Sequence, residues 1–400
     1  MSPEAETKSK LFTSEYIFHT LIFFCVVCNF LVLVNTMPIY VMDKMNMNEA
    51  QAGVIVGILA IGILVSRFIS GRLALIVGYK KLLLIGIIGT LILSTMYLFA
   101  TTSLSLHIVR LLHGFFFGLT TNTNMTIVAN IIPRERSGEG VGYYSLGQVI
   151  STAIGPLIGL SLAMRGMYTQ VFILGALMMV ICLVVFPLLH IKDISVDEKK
   201  SALKEGGKGF SSIFDTKVLA IAILAFFLCM GTTGTSSFMG PYAESINIPK
   251  AALMFFPVNA AVILVTRPFV SKMYDKRGAN TVLFPAMISY AIGLFIAGQA
   301  QSTFPLLLAA ALIGLGFGAI TSSLLTIVVQ LVPRTRISVA NATYFMFFDS
   351  SAALGPIIMG IIISLWDFRG MFIVSGIIIV FCIPAYYIFH ARKHKGRIET

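Results

Sequence analysis

Apolar residues in this chain do not alternate with polar ones or recur on one helical face. They run, and each run is followed by a short polar break. Twelve such runs can be marked: Tyr16 to Tyr40, Ala50 to Gly71, Leu82 to Ala100, Leu104 to Ile132, Gly140 to Leu162 and Gln170 to Leu189, then Val218 to Tyr242, Ala251 to Ser271, Thr281 to Gln299, Phe304 to Leu331, Val339 to Ser364 and Phe372 to Phe389. A helix needs roughly 20 apolar residues to cross the hydrocarbon core. Lipid offers no partner to an unpaired backbone group, so runs of this length predict helices rather than open strands. The first run is long and follows Glu4, Glu6 and Glu15 among lysines, which predicts a retained helix rather than a cleaved leader.

Composition agrees with the pattern. Of 400 residues, 57% are hydrophobic and 12% charged, against about 25% charged in an average soluble domain. The formal net charge of +12 raises the question of a polyanionic partner. Most of the 29 lysines and arginines, however, fall in the two tails, in alternate connections and at the helix ends beside them. The positive-inside rule then places both termini in the cytoplasm of a multi-pass protein of the inner or plasma membrane, and accounts for the charge without nucleic acid. Five cysteines all lie in spans; Cys25 and Cys28 form a C-x-x-C pair, but Phe23, Phe24, Val26 and Val27 surround it. The pair reads as small buried side chains and no metal site or cofactor is expected.

An internal repeat organises the chain. At a constant offset of 200 positions, Pro133, Arg134 and Arg136 return as Pro333, Arg334 and Arg336, and Gly155-Pro156 returns as Gly355-Pro356. Tyr144 returns as Tyr344, Arg67 as Arg267, Gly78 as Gly278, and Gly114 with Gly118 as Gly314 with Gly318. The division that follows is an N-terminal six-helix bundle over 1–190, a polar cytoplasmic linker over 191–215 and a C-terminal six-helix bundle over 216–400. Two parallel bundles of this kind place a binding site at their interface near the bilayer midplane.

The sequence at this point resembles the major facilitator superfamily over essentially its whole length. The stretch from Arg67 to Leu83 is similar to the family's loop between helices two and three, with Gly71, Leu73, Ala74, Gly78, Lys80 and Lys81 in place and Leu75 where the family carries Asp. Its repeat carries Asp275, Arg277 and Gly278. "LHIVRLLHG", Leu106 to Gly114, resembles the fourth-helix motif, with Arg110 present and His113 in place of Gln. "STAIGPLIG", Ser151 to Gly159, resembles the fifth-helix antiporter motif through Gly155 and Pro156. "SRFISG" and "TRPFVS", around Arg67 and Arg267, resemble an element of opine-metallophore exporters. The resemblance implies an all-α integral membrane fold of 12 transmembrane helices in two pseudo-symmetric six-helix bundles.

Candidate chemistry is sparse. Of 17 acidic residues, Asp349 alone lies deep within a span, about twelve residues or roughly 18 Å from the nearer helix end. An Asp at a bilayer centre costs about 2.5 to 3.5 kcal/mol on insertion scales, so a partner or a task is expected. Burial favours the neutral acid and a nearby guanidinium favours the anion, a competition that proton-coupled carriers exploit. Asp349 is therefore the expected proton-responsive site, with Arg110 and His113 expected to supply the opposing charge and a relay. A structural polar contact is the alternative.

The resemblance implies a cavity lined by the first, fourth, seventh and tenth helices. Their polar and aromatic candidates are Asn29, Asn35, Asn122, Asn124, Thr233, Ser236, Phe238 and Thr321, with Tyr344 and Phe348 from the eleventh. Gating and turn positions are Arg67, Gly71, Gly78, Lys81, Arg267, Asp275, Arg277 and Gly278, with Gly155, Pro156, Gly355 and Pro356 at helix kinks. No nucleophile with its base and no phosphate loop marks an enzyme. The expected function is secondary active transport, a monomer exporting small organic compounds against protons. Uptake of a sugar or organic anion, lipid flipping and opine-metallophore export remain open on the same fold.

Overall fold

The computed structural model describes residues 11–133, 136–191, 215–333 and 336–391. The expected linker over 191–215 lies almost wholly outside them. Twelve described helices are long and apolar enough to cross a membrane. In the first half they are α1 (Ser14–Lys44), α2 (Glu49–Val77), α3 (Tyr79–Met96), α4 (Ser103–Ile131), α5 (Ser137–Ala163) and α6 (Tyr168–Val185). In the second they are α7 (Leu219–Ser245), α8 (Pro249–Arg277), α9 (Ala279–Gln299), α10 (Thr303–Gln330), α11 (Ile337–Leu365) and α12 (Phe368–Phe389). Every expected run is a helix. The sixth stops earlier than its apolar run, because Pro187 turns Phe186–Leu188 into a single 3-10 turn.

Local chemistry sets several ends. Asn48 and Gln51 form a reciprocal capping box at the start of α2, and Thr102 and Ser105 do the same for α4. Single glycines join α2 to α3 and α8 to α9: Gly78 has φ 92° and Gly278 has φ 79°. A side chain is strained in that region, which explains why this pair recurs at the 200-residue offset. Gly71 is different, since a Cβ there would meet open space.

Within each half the same helices touch: α1 with α5, α2 with α4, and correspondingly α7 with α11, α8 with α10. Glycine permits the crossings. A Cβ on Gly114 would lie 1.8 Å from the Leu59 carbonyl oxygen, and one on Gly314 would lie 2.7 Å from that of Asn259, the residue 200 positions on from Leu59. Each crossing also holds a polar pin, with donor and acceptor exchanged. In the first half, Arg110 on α4 donates to the Ile55 carbonyl of α2 at 3.0 Å. In the second, Asn259 on α8 donates to the Ala310 carbonyl of α10 at 3.1 Å, and Ala310 is the counterpart of Arg110. Gly155 and Gly355 act similarly, the first against Leu31 of α1 and the second against Thr233 of α7.

The halves meet along α2 with α11, α5 with α8, and α1 with α7. The α2–α11 seam is main chain against main chain. A Cβ on Gly53 would lie 2.2 Å from the Pro356 oxygen, one on Gly57 2.2 Å from the Ala353 oxygen, and one on Gly360 2.4 Å from the Glu49 oxygen. The Ala50 amide donates to the Ser364 hydroxyl at 3.1 Å beside them. These contacts lie toward the end of the bundle away from the chain termini. Toward the termini-bearing end, the seam finishes at two charged side chains.

Candidate functional site

Arg67 of α2 and Asp349 of α11 form an ion pair through Arg67 Nε and Asp349 Oδ2. A second contact runs from Arg67 Nη2 to Asp349 Oδ1 at 3.4 Å. Arg67 Nη1 also donates to Asn122 Oδ1 of α4 at 3.2 Å, and its guanidinium lies 5.5 Å from the centre of the Phe345 ring, one turn before Asp349. Three helices from both halves thus converge on one guanidinium. Asp349 is 12% exposed at its side chain and Arg67 35% exposed, so the carboxylate is enclosed while the cation keeps contact with solvent.

The antiparallel course of the two helices explains the meeting. Arg67 stands ten residues before the end of α2 and Asp349 twelve after the start of α11, which puts them about 15 and 18 Å from the same end of the bundle. That depth match is available in the sequence, where Arg67 reads as a gating position and not as the partner of Asp349.

Arg110 and His113, expected beside Asp349, belong to the first half's interior. Arg110 is fully buried, donates to the carbonyls of Ile55 at 3.0 Å and Val56 at 3.4 Å, and leaves Nη1 without a partner. Its opposing group is a helix backbone and not a carboxylate. His113 is also fully buried. Asn29 Nδ2 donates to the Ser94 hydroxyl at 3.0 Å and the Gly175 carbonyl at 2.8 Å, so its Oδ1 accepts from His113 Nε2 at 3.1 Å. The other ring nitrogen, Nδ1, then accepts from the Tyr97 hydroxyl at 3.0 Å. Both ring nitrogens are thus held by side chains of the first half.

The remaining candidates divide between packing and the seam. Asn124 bridges α1 and α5: it contacts His19 Nδ1 at 2.6 Å and donates to the His19 carbonyl and the Tyr144 hydroxyl, each at 2.9 Å. Asn35 is buried, donates to Leu31 of its own helix and leaves its oxygen unpartnered. Thr233 donates to the carbonyls of Met230 and Ser351, tying α7 to α11. Thr321 bonds back to Phe317 at 3.0 Å on its own helix, as a polar side chain in an apolar helix commonly does. Phe238 is fully buried, and Ser236 is half-buried two residues before it. Tyr344 is buried against Phe345 and Phe348, which are half-buried next to the ion pair.

Among the motif positions, Lys81, Arg277 and Asp275 are exposed, and Asp275 makes no ion pair among the described residues. Arg267 is exposed as well. An ion pair outside all expectations ties Arg336 to Asp215 at 2.7 Å and holds the approach to α7 against the start of α11. The five cysteines are free and buried, and the described residues contain no cluster of three or more ligands suited to a metal.

Comparison with known proteins agrees with this architecture. The chain is 25% identical over 311 residues to the multidrug resistance protein MdtG of Klebsiella pneumoniae, covering 76% of this chain and 75% of that one. Its fold matches the crystal structure of the nucleoside transporter NupG with a TM-score of 0.73 at 15% identity, over 95% of this chain and 99% of that chain. It also matches a bacterial homologue of the human lysosomal transporter Spinster, in an inward-facing and unoccupied conformation, with a TM-score of 0.75 at 14% identity, over 94% and 96% of the two chains. The sequence profile of the Major Facilitator Superfamily matches residues 20–298 and 260–400. With its twelve spanning helices, its two related halves and this match, the chain belongs to the Major Facilitator Superfamily, a family of membrane transporters and not of enzymes.

Proposed function

We propose that this protein is a proton-coupled exporter of small organic compounds, acting as a monomer in the plasma membrane with both termini in the cytoplasm. The observation that carries the reading is the placement of Asp349, an enclosed carboxylate held across the seam by a cation from the other half. The similarity to a protein named for multidrug resistance supports export. The basic tails and loops support the orientation.

With the halves joined away from the termini, the arrangement corresponds to a carrier closed on its outer side. The Arg67–Asp349 pair then locks the empty, deprotonated carrier in that state. A proton on Asp349 removes the negative charge and releases the lock, and so does a cargo that engages either side chain in place of the other. An exchanger needs this logic, because an empty carrier that changed state freely would dissipate the gradient. A ligand shifts such an equilibrium only by its differential affinity for the two states, tenfold for each 1.4 kcal/mol. Breaking and remaking one ion pair supplies that difference.

The test is proton flux in liposomes that carry a pH-sensitive dye, with an imposed gradient and a cargo panel, for the wild type and Asp349→Asn. Cargo-dependent proton movement in the wild type and its loss in the variant is the expected result. Undiminished coupling in the variant would refute the role given to Asp349.

A further inference from the structure

The repeat places Arg267 of α8 where Arg67 stands in α2, but its surroundings lack the acid. The counterparts of Asn122 and Asp349 are Ser322 of α10 and Val149 of α5. Arg267 is exposed, with no ion pair or hydrogen bond to its guanidinium among the described residues. It stands ten residues before the end of α8, about 15 Å into the bundle. An arginine at that depth is costly against lipid, so an exposed one faces water or a ligand. Its position on the helix agrees. Asn259 and Ile263, two turns and one turn before it, both pack against glycines of α10, and Tyr274, two turns after it, bonds Gln330 of α10.

A cavity of about 190 Å³ begins one turn from Arg267 in this same crevice, lined in part by Ser271, Asp275, Ser322, Ser323 and Thr326; the hydroxyls of Ser271, Ser322 and Thr326 bond back to their own helices. Ser323 is 2% exposed and its hydroxyl has no partner. A buried unpartnered hydroxyl costs roughly 1–3 kcal/mol, and its position in the cavity wall marks a site that a polar ligand completes.

We infer that Arg267, with the hydroxyl of Ser323, is the anchor for a carboxylate group of the cargo, so that the carrier takes small organic monocarboxylates, including zwitterions. The inference rests on the transport reading above and specifies its substrate class. A planar guanidinium pairs with a carboxylate through two parallel hydrogen bonds, and Arg67 shows that geometry being satisfied internally. Among the described residues no acid is paired with Arg267. Asp275 on the cavity wall opposes a second negative charge and suits a cationic or neutral remainder.

The test needs no gradient and is therefore separate from the flux assay. The full-length protein in lipid nanodiscs is titrated with benzoate, hippurate and γ-aminobutyrate, each beside its primary amide, and the thermal midpoint is recorded. At least one carboxylate is expected to raise the midpoint while its amide does not. Its apparent affinity should fall tenfold or more in Arg267→Gln, fall less in Arg267→Lys, and stay within twofold in Lys272→Gln, an exposed cation nearby. The lysine variant keeps the test valid should the glutamine variant misfold. Carboxylates that act no differently from amides would overturn the proposal. So would binding that survives Arg267→Gln, or an equal loss in Lys272→Gln, which would indicate attraction to surface charge alone.

Discussion

Arg67 and Asp349 are separated by 282 positions in the chain, yet the guanidinium of one closes directly on the carboxylate of the other where α2 meets α11. The glycine contacts at Gly53, Gly57 and Gly360 bring the two helices together, and the ion pair ends their contact at mid-depth. The charges therefore sit where a small separation of the halves changes their distance most directly.

Removing one partner of this pair is expected to cost more than removing both. Because Arg67 keeps about a third of its surface in solvent, the loss for Asp349→Ala or Arg67→Ala should be about 1–3 kcal/mol, less than for a fully buried pair. A double-mutant cycle on thermal midpoints checks this. The double variant should be more stable than the sum of the single losses requires, and strict additivity would mean that the two groups do not interact.

Bulk at the seam should hold it open. Gly53→Leu or Gly57→Val places atoms where a carbonyl already lies at 2.2 Å. Spin labels on cysteines introduced at Lys44 and Leu365, exposed positions at the end away from the termini, report the gap. The native cysteines are buried and will not compete for label. Both variants should move the distance distribution to longer values, and an unchanged distribution would remove the seam from the conformational cycle.

The His113 network predicts a stability effect without a coupling effect. Asn29→Ala strips three hydrogen bonds from buried groups and should cost about 1–3 kcal/mol. In the flux assay the ratio of protons to cargo should be unchanged. A changed ratio would return His113 to the proton path.

The two turn glycines should be intolerant and Gly71 tolerant. Gly78→Ala and Gly278→Ala force a side chain into positive φ, at about 1–3 kcal/mol each. Gly71→Ala meets open space and should fall within about 0.5 kcal/mol of the wild type. Thermal midpoints of the three variants in one detergent decide it.

Helix number and the depth of Asp349 were legible because each rests on a one-dimensional quantity: run length or distance from a helix end. Which face a residue presents was not. Arg110 and His113 lie only seven and ten residues after the start of α4 at the opposite end of the bundle, roughly 13 and 9 Å from the level of Asp349, and they point into the first half, where Ile55, Tyr97 and Asn29 receive them. Apolar runs this uniform carry little face information, so polar residues such as Asn29, Asn124 and Thr233 read as cavity lining when they are pins between helices. The partner of Asp349 could be found only by comparing depths across both halves.

The glycine row between α2 and α11 has a thermodynamic consequence. Glycine has no rotamers to lose, whereas fixing a leucine or isoleucine costs about 0.5–1 kcal/mol of side-chain entropy. A seam closed through Gly53, Gly57 and Gly360 against backbone oxygens therefore orders few side chains when it forms and liberates few when it parts. The equilibrium between its two states should vary little with temperature, leaving its control to charge.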